Sequence, residues 1–438
     1  MSEPVRVGVV GLGTVGSGVV RLLAQSADHI TRHAGRPIVV ERAVVADVTK
    51  PRDLPLPSGR ISGDIRDISR DSSISVAALL VGGLEPARSM LVELLEQGKD
   101  VVTANKALLA EHGPELFDLA RRPRPPRRRS SGPAGGIPIV AAIGECLAAN
   151  RIERIRGILN GTSNFILSRM EDDAADYATV LRMAQDKGFA EADPSMDVDG
   201  TDATQKLAIL AHLAFGCWVP WGDIPRTGIE RVDLGLMQCA RDLGYRIRLV
   251  AVADRLGGGA GPDRLALRVA PALVRIGTPL AETHGAYNAV SLVGDAVGRM
   301  FFHGLGAGQM PTASAVVADV IDTVVGRAAI TFRTTGLLGA GDADVRHAGA
   351  ETHERHFLRV DVVDRPGVLA RIAGILGEHG ISIASVIQRE PPGSSALPVP
   401  LVIMTHPCGS TAMRKASAHI EASDVVAGAT VVLPVLDE

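Results

Sequence analysis

Residues 5–24 constrain the fold of this chain more than any other stretch. A β-branched run, Val5-Arg-Val-Gly-Val-Val10, leads directly into Gly11-Leu-Gly13-Thr-Val-Gly16 and then into Ser17-Gly-Val-Val-Arg-Leu-Leu-Ala24, whose apolar spacing is helical. A short, continuously apolar strand of this kind belongs in a parallel sheet covered on both faces. Gly11 permits a tight turn, Gly13 lets the backbone approach a pyrophosphate, and Gly16 allows close helix–strand packing. The amide groups of Thr14, Val15 and Gly16 then stand at a helix start, where the helix dipole favours an anion. Strand, glycine loop and helix in this order predict a Rossmann-type nucleotide-binding domain with NAD or NADP as cofactor, against the alternative of a tight structural turn.

The following segments continue the pattern. A strand is expected over Ile38 to Ala46, ending near Asp47 with Lys50 and Arg52 beyond. An acid there would hold the ribose hydroxyls of NAD, whereas the basic residues would hold the extra phosphate of NADP, so the preference stays open. Val76 to Val81 reads as a buried strand, and Asp100-Val-Val-Thr-Ala-Asn-Lys106 as another. The carboxyl end of that strand delivers Thr103, Asn105 and Lys106 to the edge where open α/β sheets bind ligands. Residues 121–133 break the texture: six arginines and four prolines in thirteen residues suit neither helix nor strand. Ordinary patterning returns at Gly135-Gly-Ile-Pro-Ile-Val140.

Ile155 to Leu159 is strand-like and leads into a polar turn, Asn160, Gly161 and Thr162, suited to hydrogen-bonding a small ligand or to a purely structural role. A helix over Tyr177 to Lys187 ends at Gly188. There follows an acidic stretch carrying Glu191, Asp193, Asp197, Asp199 and Asp202, closed by Lys206 at the mouth of the apolar helix Lys206 to Phe215. Aligned as a calcium loop with Gly200 at its sixth position, the stretch places Lys206 where the bidentate glutamate belongs, which rules that reading out. Asp202 and Lys206 are four apart, so on a helix they share a face with the acid on the favourable side. A lysine beside carboxylates and apolar surface suits proton transfer. Two plainer readings stand beside it: a solvated acidic face, and Asp202 as an N-cap with Gln205 closing a capping box.

Farther on, Arg248 to Ala253 and Leu265 to Ala272 read as strands flanking a glycine-rich loop, Gly257 to Gly261. Ala289 to Val293 and Arg299 to Phe302 add further strands. The loop Gly304-Leu-Gly306-Ala-Gly308 opens onto an apolar helix, Thr312 to Val325, and allows close backbone approach to the cofactor. Residues 333–354 are expected to be a polar linker that includes His353. Residues 355–438 then show a β-α-β-β-α-β order, a ferredoxin-like small domain. Asp364-Arg365-Pro366-Gly367 lies between its first strand and helix, where free amides suit a carboxylate.

Composition narrows the class. A formal charge of −3 in 438 residues argues against an electrostatically driven nucleic-acid or anionic-membrane partner. Cys146, Cys217, Cys239 and Cys408 have no zinc or redox spacing, so they read as reduced core thiols of a cytoplasmic protein, and no metal is expected. The N-terminus lacks the order of a secretory signal, and no apolar stretch is long enough to span a bilayer.

Taken together, these motifs resemble homoserine dehydrogenase of the long bacterial type with a C-terminal ACT domain, over nearly the whole chain. The resemblance is carried by Gly11 to Gly16, Thr103-Ala-Asn-Lys106, Gly135-Gly-Ile-Pro-Ile139, Gly157-Ile-Leu-Asn-Gly-Thr-Ser-Asn164, Glu191 to Lys206, and Gly306-Ala-Gly308. It implies NAD(P)H-dependent reduction of L-aspartate 4-semialdehyde to L-homoserine, on the route to threonine, methionine and isoleucine. Lys206 would transfer the proton with Asp202 as its partner. Glu191 and Asp197 would bind substrate, with Lys106, Asn160, Gly161 and Thr162 beside it. Gly11, Gly13, Thr14, Val15, Gly16, Thr103, Lys106, Gly306 and Gly308 would line the cofactor. Asp364 to Gly367 would serve an amino-acid effector, threonine by family habit, and a homodimer or homotetramer is implied.

This implies an α/β architecture in three parts: a nucleotide-binding domain over 1–148 completed by 311–332, a mixed α/β substrate and dimerisation domain over 149–310, and the ACT domain over 350–438. One departure stands out. Where the family has a hydrophobic strand with a glutamate of a monovalent-cation site, this chain has the arginine–proline run, so that cation site is not carried over. The run preserves approximate length and ends abruptly, as two compensating frame shifts would leave it. A non-catalytic amino-acid sensor that keeps the fold is the reading from another class; intact Lys106, Asp202 and Lys206 count against it.

Overall fold

The structure is a computed structural model that describes residues 3–121, 137–257, 263–328, 345–347, 352–388 and 398–437. The arginine–proline run beyond Arg121, the pair Gly135-Gly136 and most of the Gly257–Gly261 loop lie outside the described residues. The chain divides into two compact units, one of Met1–Glu153, Gln205–Ile224 and Leu292–Val345, the other of Arg154–Thr204, Pro225–Ser291 and Arg346–Glu438.

The first unit holds β1 (Val5–Val10), β2 (Ile38–Val44), β3 (Ile61–Ser62), β4 (Ile74–Leu79) and β5 (Asp100–Thr103). They form a five-stranded sheet in the order β3-β2-β1-β4-β5, with every pair parallel. Parallel strands need crossover helices on both faces, which explains why β1 and β4 are apolar nearly throughout. The strands β2 and β4 stop two residues short of the expected ends. Gly11 is the reason: its φ of +95° ends β1, its N–H donates to Val44 O, and Leu80 N–H donates back to Val10 O. On one face the helices Thr14–Gln25 and Gln309–Val325 pack together around Gly18, where a Cβ would come within 3.0 Å of Gln309 and Ala313 atoms. Val316, Val317, Val320 and Val324 then extend the core from Val7 and Val9. That long helix begins at Gln309, three residues before the expected start.

In the second unit, β6 (Ile152–Ile158), β7 (Tyr245–Leu256), β8 (Asp263–Arg275) and β9 (Tyr287–Gly294) build a mixed sheet; β10 (Gly298–Leu305) returns to the first unit. β7 and β8 exceed their apolar cores because the antiparallel ladder runs from Tyr245 opposite Arg275 to Leu256 opposite Arg264. Paired backbone carries polar residues that hydropathy alone leaves outside.

The C-terminal segment opens with β11 (Val345–His347) and β12 (His353–Glu354). It continues through β13 (His356–Val362), β14 (Ile383–Gln388), β15 (Val399–Thr405), β16 (Cys408–Gly409) and β17 (Val426–Leu436). With the helices Val368–Glu378 and Ser410–Glu421 the expected β-α-β-β-α-β order is present, and the strands lie in the order β17-β13-β15-β14. Two details differ from the sequence reading. His353 belongs to a short strand paired with β16 rather than to a linker. β17 overruns its expected end at Leu433, because Val435 and Leu436 pair in parallel with Leu273 and Val274 of β8 and so join the small domain to the mixed sheet. Its own core is Leu358, Val360, Ile372, Ile375, Leu401, Ile403 and Ile420.

Candidate active site and cofactor-binding loop

Gly13 is the N-cap of the helix Thr14–Gln25, and no side chain caps that end. The amides of its first turn are therefore available to an anion. A Cβ on Gly13 would meet nothing within 4 Å, whereas one on Gly16 would lie 1.9 Å from Gly11 O. The two glycines thus do different work: Gly16 lets the helix close onto the turn, and Gly13 keeps open the space a pyrophosphate needs. Gln309 Nε2 donates to Thr14 O (3.0 Å), so the loop carrying Gly306 and Gly308 is led to the first glycine turn; Gly308, at φ +121°, is the N-cap of the helix Gln309–Val325. These features fit a dinucleotide.

Thr103 and Asn105 brace the strand ends on which the cofactor reading places them. Thr103 Oγ1 donates to Leu79 O, and Asn105 Nδ2 donates to Val81 O and Gly83 O, which fixes the loop beyond β4. Asn105 Oδ1 accepts from Leu108 N–H and so caps the helix Lys106–Arg121, which Lys106 opens. Asp47 lies beyond the end of β2, where its Oδ1 takes both the N–H and the hydroxyl of Thr49; these bonds hold its carboxyl below the usual range.

The acidic stretch is organised by Asn160. This residue, 4% exposed, ends the segment after β6 and caps the helix Gly161–Asp173 by accepting Ser163 N–H at 2.7 Å. Its Nδ2 donates to Asp197 Oδ1 at 2.7 Å and to Asp202 Oδ2 at 2.8 Å. Asp197 lies on the short helix Ser195–Val198, and Ser163 Oγ donates to its carbonyl. Asp202 lies in the first turn of the helix Thr201–Phe215, so it is not the N-cap; Gly200 O accepts from Thr204 N–H, and Asp199 takes both Thr201 N–H and its hydroxyl. Lys206 follows one turn later on the same helix. Gly161 backs onto Ala286 O, Thr162 Oγ1 donates to Phe189 O, and Glu191 is exposed with its carbonyl held by Gln185.

Two buried polar residues were given no role by the sequence, although Asn164 closes the motif that begins at Gly157. Asn164, wholly buried, donates from Nδ2 to Thr283 O, Gly285 O and Tyr287 O. Arg248, also wholly buried, pairs with Glu171. Nothing short of the fold brings such distant residues together. Cys146 is exposed and Cys239 half-buried, which corrects the reading of all four cysteines as core thiols; Cys217 and Cys408 are buried. In the small domain Asp364, Arg365, Pro366 and Gly367 are all exposed, Arg365 pairs with Asp424, and Gly367 (φ +90°) starts the helix Val368–Glu378. Among the described residues no cluster of three or more His, Cys, Asp or Glu could hold a metal, and no helix is long and apolar enough to cross a membrane.

Comparison with known proteins adds three family matches: residues 11–124 to the homoserine dehydrogenase NAD-binding domain, 138–321 to homoserine dehydrogenase, and 356–410 to the ACT domain. The homoserine dehydrogenase of Pseudomonas aeruginosa is 41% identical over 435 residues, 98% of each chain, and that of Neisseria gonorrhoeae 39% identical over 428 residues, 97% of each. A crystal structure of a homoserine dehydrogenase from Thiobacillus denitrificans superposes with a TM-score of 0.87 at 39% identity, covering 99% of both chains.

Proposed function

Because this chain belongs to the homoserine dehydrogenase family, we propose that Lys206 and Asp202 are its proton-transfer pair and that Glu191, Asp197 and Lys106 bind its substrate. The enzyme is an NAD(P)-dependent oxidoreductase acting on a CH–OH group, interconverting L-aspartate 4-semialdehyde and L-homoserine in the biosynthesis of threonine, methionine and isoleucine. The observation that carries the assignment of roles is the order along one helix: Asp202, anchored through Asn160, stands a single turn before Lys206.

The nicotinamide nucleotide supplies the hydride when bound. Reduction of the aldehyde leaves negative charge on oxygen, which the Lys206 ammonium stabilises and then protonates; in reverse, the lysine amine takes the hydroxyl proton of homoserine. Asp202 lies one turn before the lysine on the same helix and supplies the neighbouring negative charge. The substrate carries an ammonium group, for which the exposed Glu191 carboxylate and Asp197 are suitable partners, while Lys106 complements its carboxylate. The amides of Thr14, Val15 and Gly16, with Gly11 and Gly13, would hold the pyrophosphate, and Gly306 and Gly308 lie in the loop tied to Thr14.

The ACT domain marks regulation by an amino-acid effector, which we assign as threonine acting at Asp364 to Gly367. We read the functional division as 1–148 with 311–332, 149–310, and 350–438. Self-association as a homodimer or homotetramer is supported by Phe301 and Leu305, which are 36% and 42% exposed and share one face of β10. A cytoplasmic location suits the reaction. The arginine–proline run at 121–133 counts for the non-catalytic sensor reading, whereas the family matches to both dehydrogenase domains favour the enzyme.

The test is homoserine-dependent reduction of NADP+ and of NAD+ by the wild-type enzyme and by Lys206→Ala. Loss of turnover of at least about 100-fold with nucleotide affinity retained is expected. Equal turnover in the variant removes Lys206 from the proton-transfer role.

A further inference from the structure

The Asn160 side chain has three strong hydrogen-bonding functions, and the structure accounts for each. Its carbonyl oxygen caps a helix, and both its amide hydrogens go to carboxylates, Asp197 and Asp202, that sit on two different helices. Capping needs only the oxygen, and a serine would serve as well. The amide nitrogen is therefore an addition to the cap. Two acceptors on one amide nitrogen stand about 5 Å apart, close enough for two carboxylates to repel strongly in a half-buried setting. A neutral donor between them offsets that repulsion and holds both at fixed positions.

The platform beneath Asn160 is rigid. Leu159 O accepts from Asn288 Nδ2 at 2.9 Å, Gly161 has no room for a Cβ against Ala286 O, and Ser163 Oγ ties down the Asp197 carbonyl at 2.7 Å. Asn164, one turn along, clamps three carbonyls of the 283–287 segment. With 4% exposure and both amide hydrogens engaged, Asn160 has no donor left for a substrate.

We propose that Asn160 is a positioning residue for the dehydrogenase reaction, setting the spacing of Asp197 and Asp202 rather than touching substrate. This rests on the proposed roles of those two aspartates. It turns the polar turn that the sequence suggested as a substrate ligand into the part that registers the acidic stretch against the mixed sheet. Misplacing a reacting group by about 1 Å costs on the order of 100-fold in rate, so the effect falls on turnover.

The discriminating variant is Asn160→Ser, which keeps the helix cap and removes the two-point donor. Its kcat for homoserine oxidation should fall about 100-fold, its affinity for NADPH alone should match the wild type, and the acid limb of its kcat profile should move to higher pH as the two carboxylates lose the donor between them. Asn160→Asp, which caps equally well and puts a third carboxylate in place of the donor, should lose more and shift further; it carries the same readout should the serine variant fold poorly. A kcat within about twofold of wild type in Asn160→Ser, alone or with a raised KM that would mark a direct substrate ligand, overturns the proposal. Asp202→Asn separates the two readings. If it loses turnover while Asn160→Ser does not, only the positioning role fails; if both keep wild-type turnover, the catalytic assignment fails as well.

Discussion

Arg359 and Asp233 form a two-point ion pair, with Nη1 to Oδ1 and Nη2 to Oδ2 both at 2.7 Å. Arg359 lies on β13 of the ACT domain, and Asp233 caps the helix Leu234–Asp242 by accepting Leu236 N–H. One carboxylate therefore starts a helix beside the mixed sheet and holds the ACT domain at the same time. Planar guanidinium and carboxylate groups matched in this way fix orientation as well as distance.

Asp233→Ala should lower stability by about 2–3 kcal/mol, since it removes a cap and leaves the 8%-exposed Arg359 without its main partner. Asp233→Ser restores the cap and should recover about 1 kcal/mol. Burial pushes the Asp233 carboxyl up, but the bonds from Arg359 and Leu236 prevail and hold it below the usual range. Its contribution is thus complete above about pH 4 and is lost as pH falls through the depressed value. Thermal melts between pH 3 and 6 check this: the wild-type advantage over Asp233→Ala should shrink toward pH 3.

The two glycines of the nucleotide loop should separate folding from binding. Gly16→Ala drives a Cβ into Gly11 O and should cost at least about 3 kcal/mol. Gly13→Ala enters open space and should melt within a degree or two of wild type, yet bind NADPH about tenfold more weakly. Melting curves with a fluorescence titration of NADPH test both; normal NADPH affinity in Gly13→Ala would contradict the placement of the pyrophosphate.

The buried pair Arg248–Glu171 makes a third test. Glu171 is shared by Arg248 at 3.2 Å and Arg246 at 2.8 Å, and Arg248 has no exposure to solvent. Glu171→Gln strands a buried cation and should lower the urea midpoint by the equivalent of about 3 kcal/mol, with little dependence on salt. Adding Arg248→Met should recover much of that loss; no recovery would show that the pair is not energetically coupled.

Asp319 predicts a pH dependence of opposite sign to that of Asp233. Burial, with Asp322 and Glu145 close by, pushes its carboxyl up to about 7, and its Oδ2 has no hydrogen-bond partner among the described residues. The folded state then holds a proton that the unfolded chain releases near pH 4, so stability falls as pH rises from about 4 to about 7 and levels off above. Asp319→Asn should melt higher than wild type at pH 8 and show no such advantage at pH 4; equal melting temperatures at pH 8 would count against the buried carboxyl.

The recoverable parts of the fold were those written in local pattern. The run from Val5 to Ala24 declared a strand, a turn and a helix because three glycines can meet the backbone demands of that turn only at those spacings. The β-α-β-β-α-β order of the small domain was likewise legible, from alternating period-two and helical patterns. Less legible were strand ends. β17 gained its last residues from pairing with β8, a partner more than 150 residues away that no local window contains.

The acidic stretch shows the same division at the level of the site. Sequence spacing by itself determined that Asp202 and Lys206 share a helix face, because an α-helix repeats every 3.6 residues and needs no tertiary contact to align positions four apart. It also determined that Gly13 could face a pyrophosphate. Only the tertiary structure decided that Asn160 would bind two aspartates lying 37 and 42 residues farther along, and that Asp202 would not cap its own helix. A side-chain amide has a reach of a few ångströms and no periodicity, so its partners are chosen by how the helices pack and by the cost of leaving a buried donor unpaired.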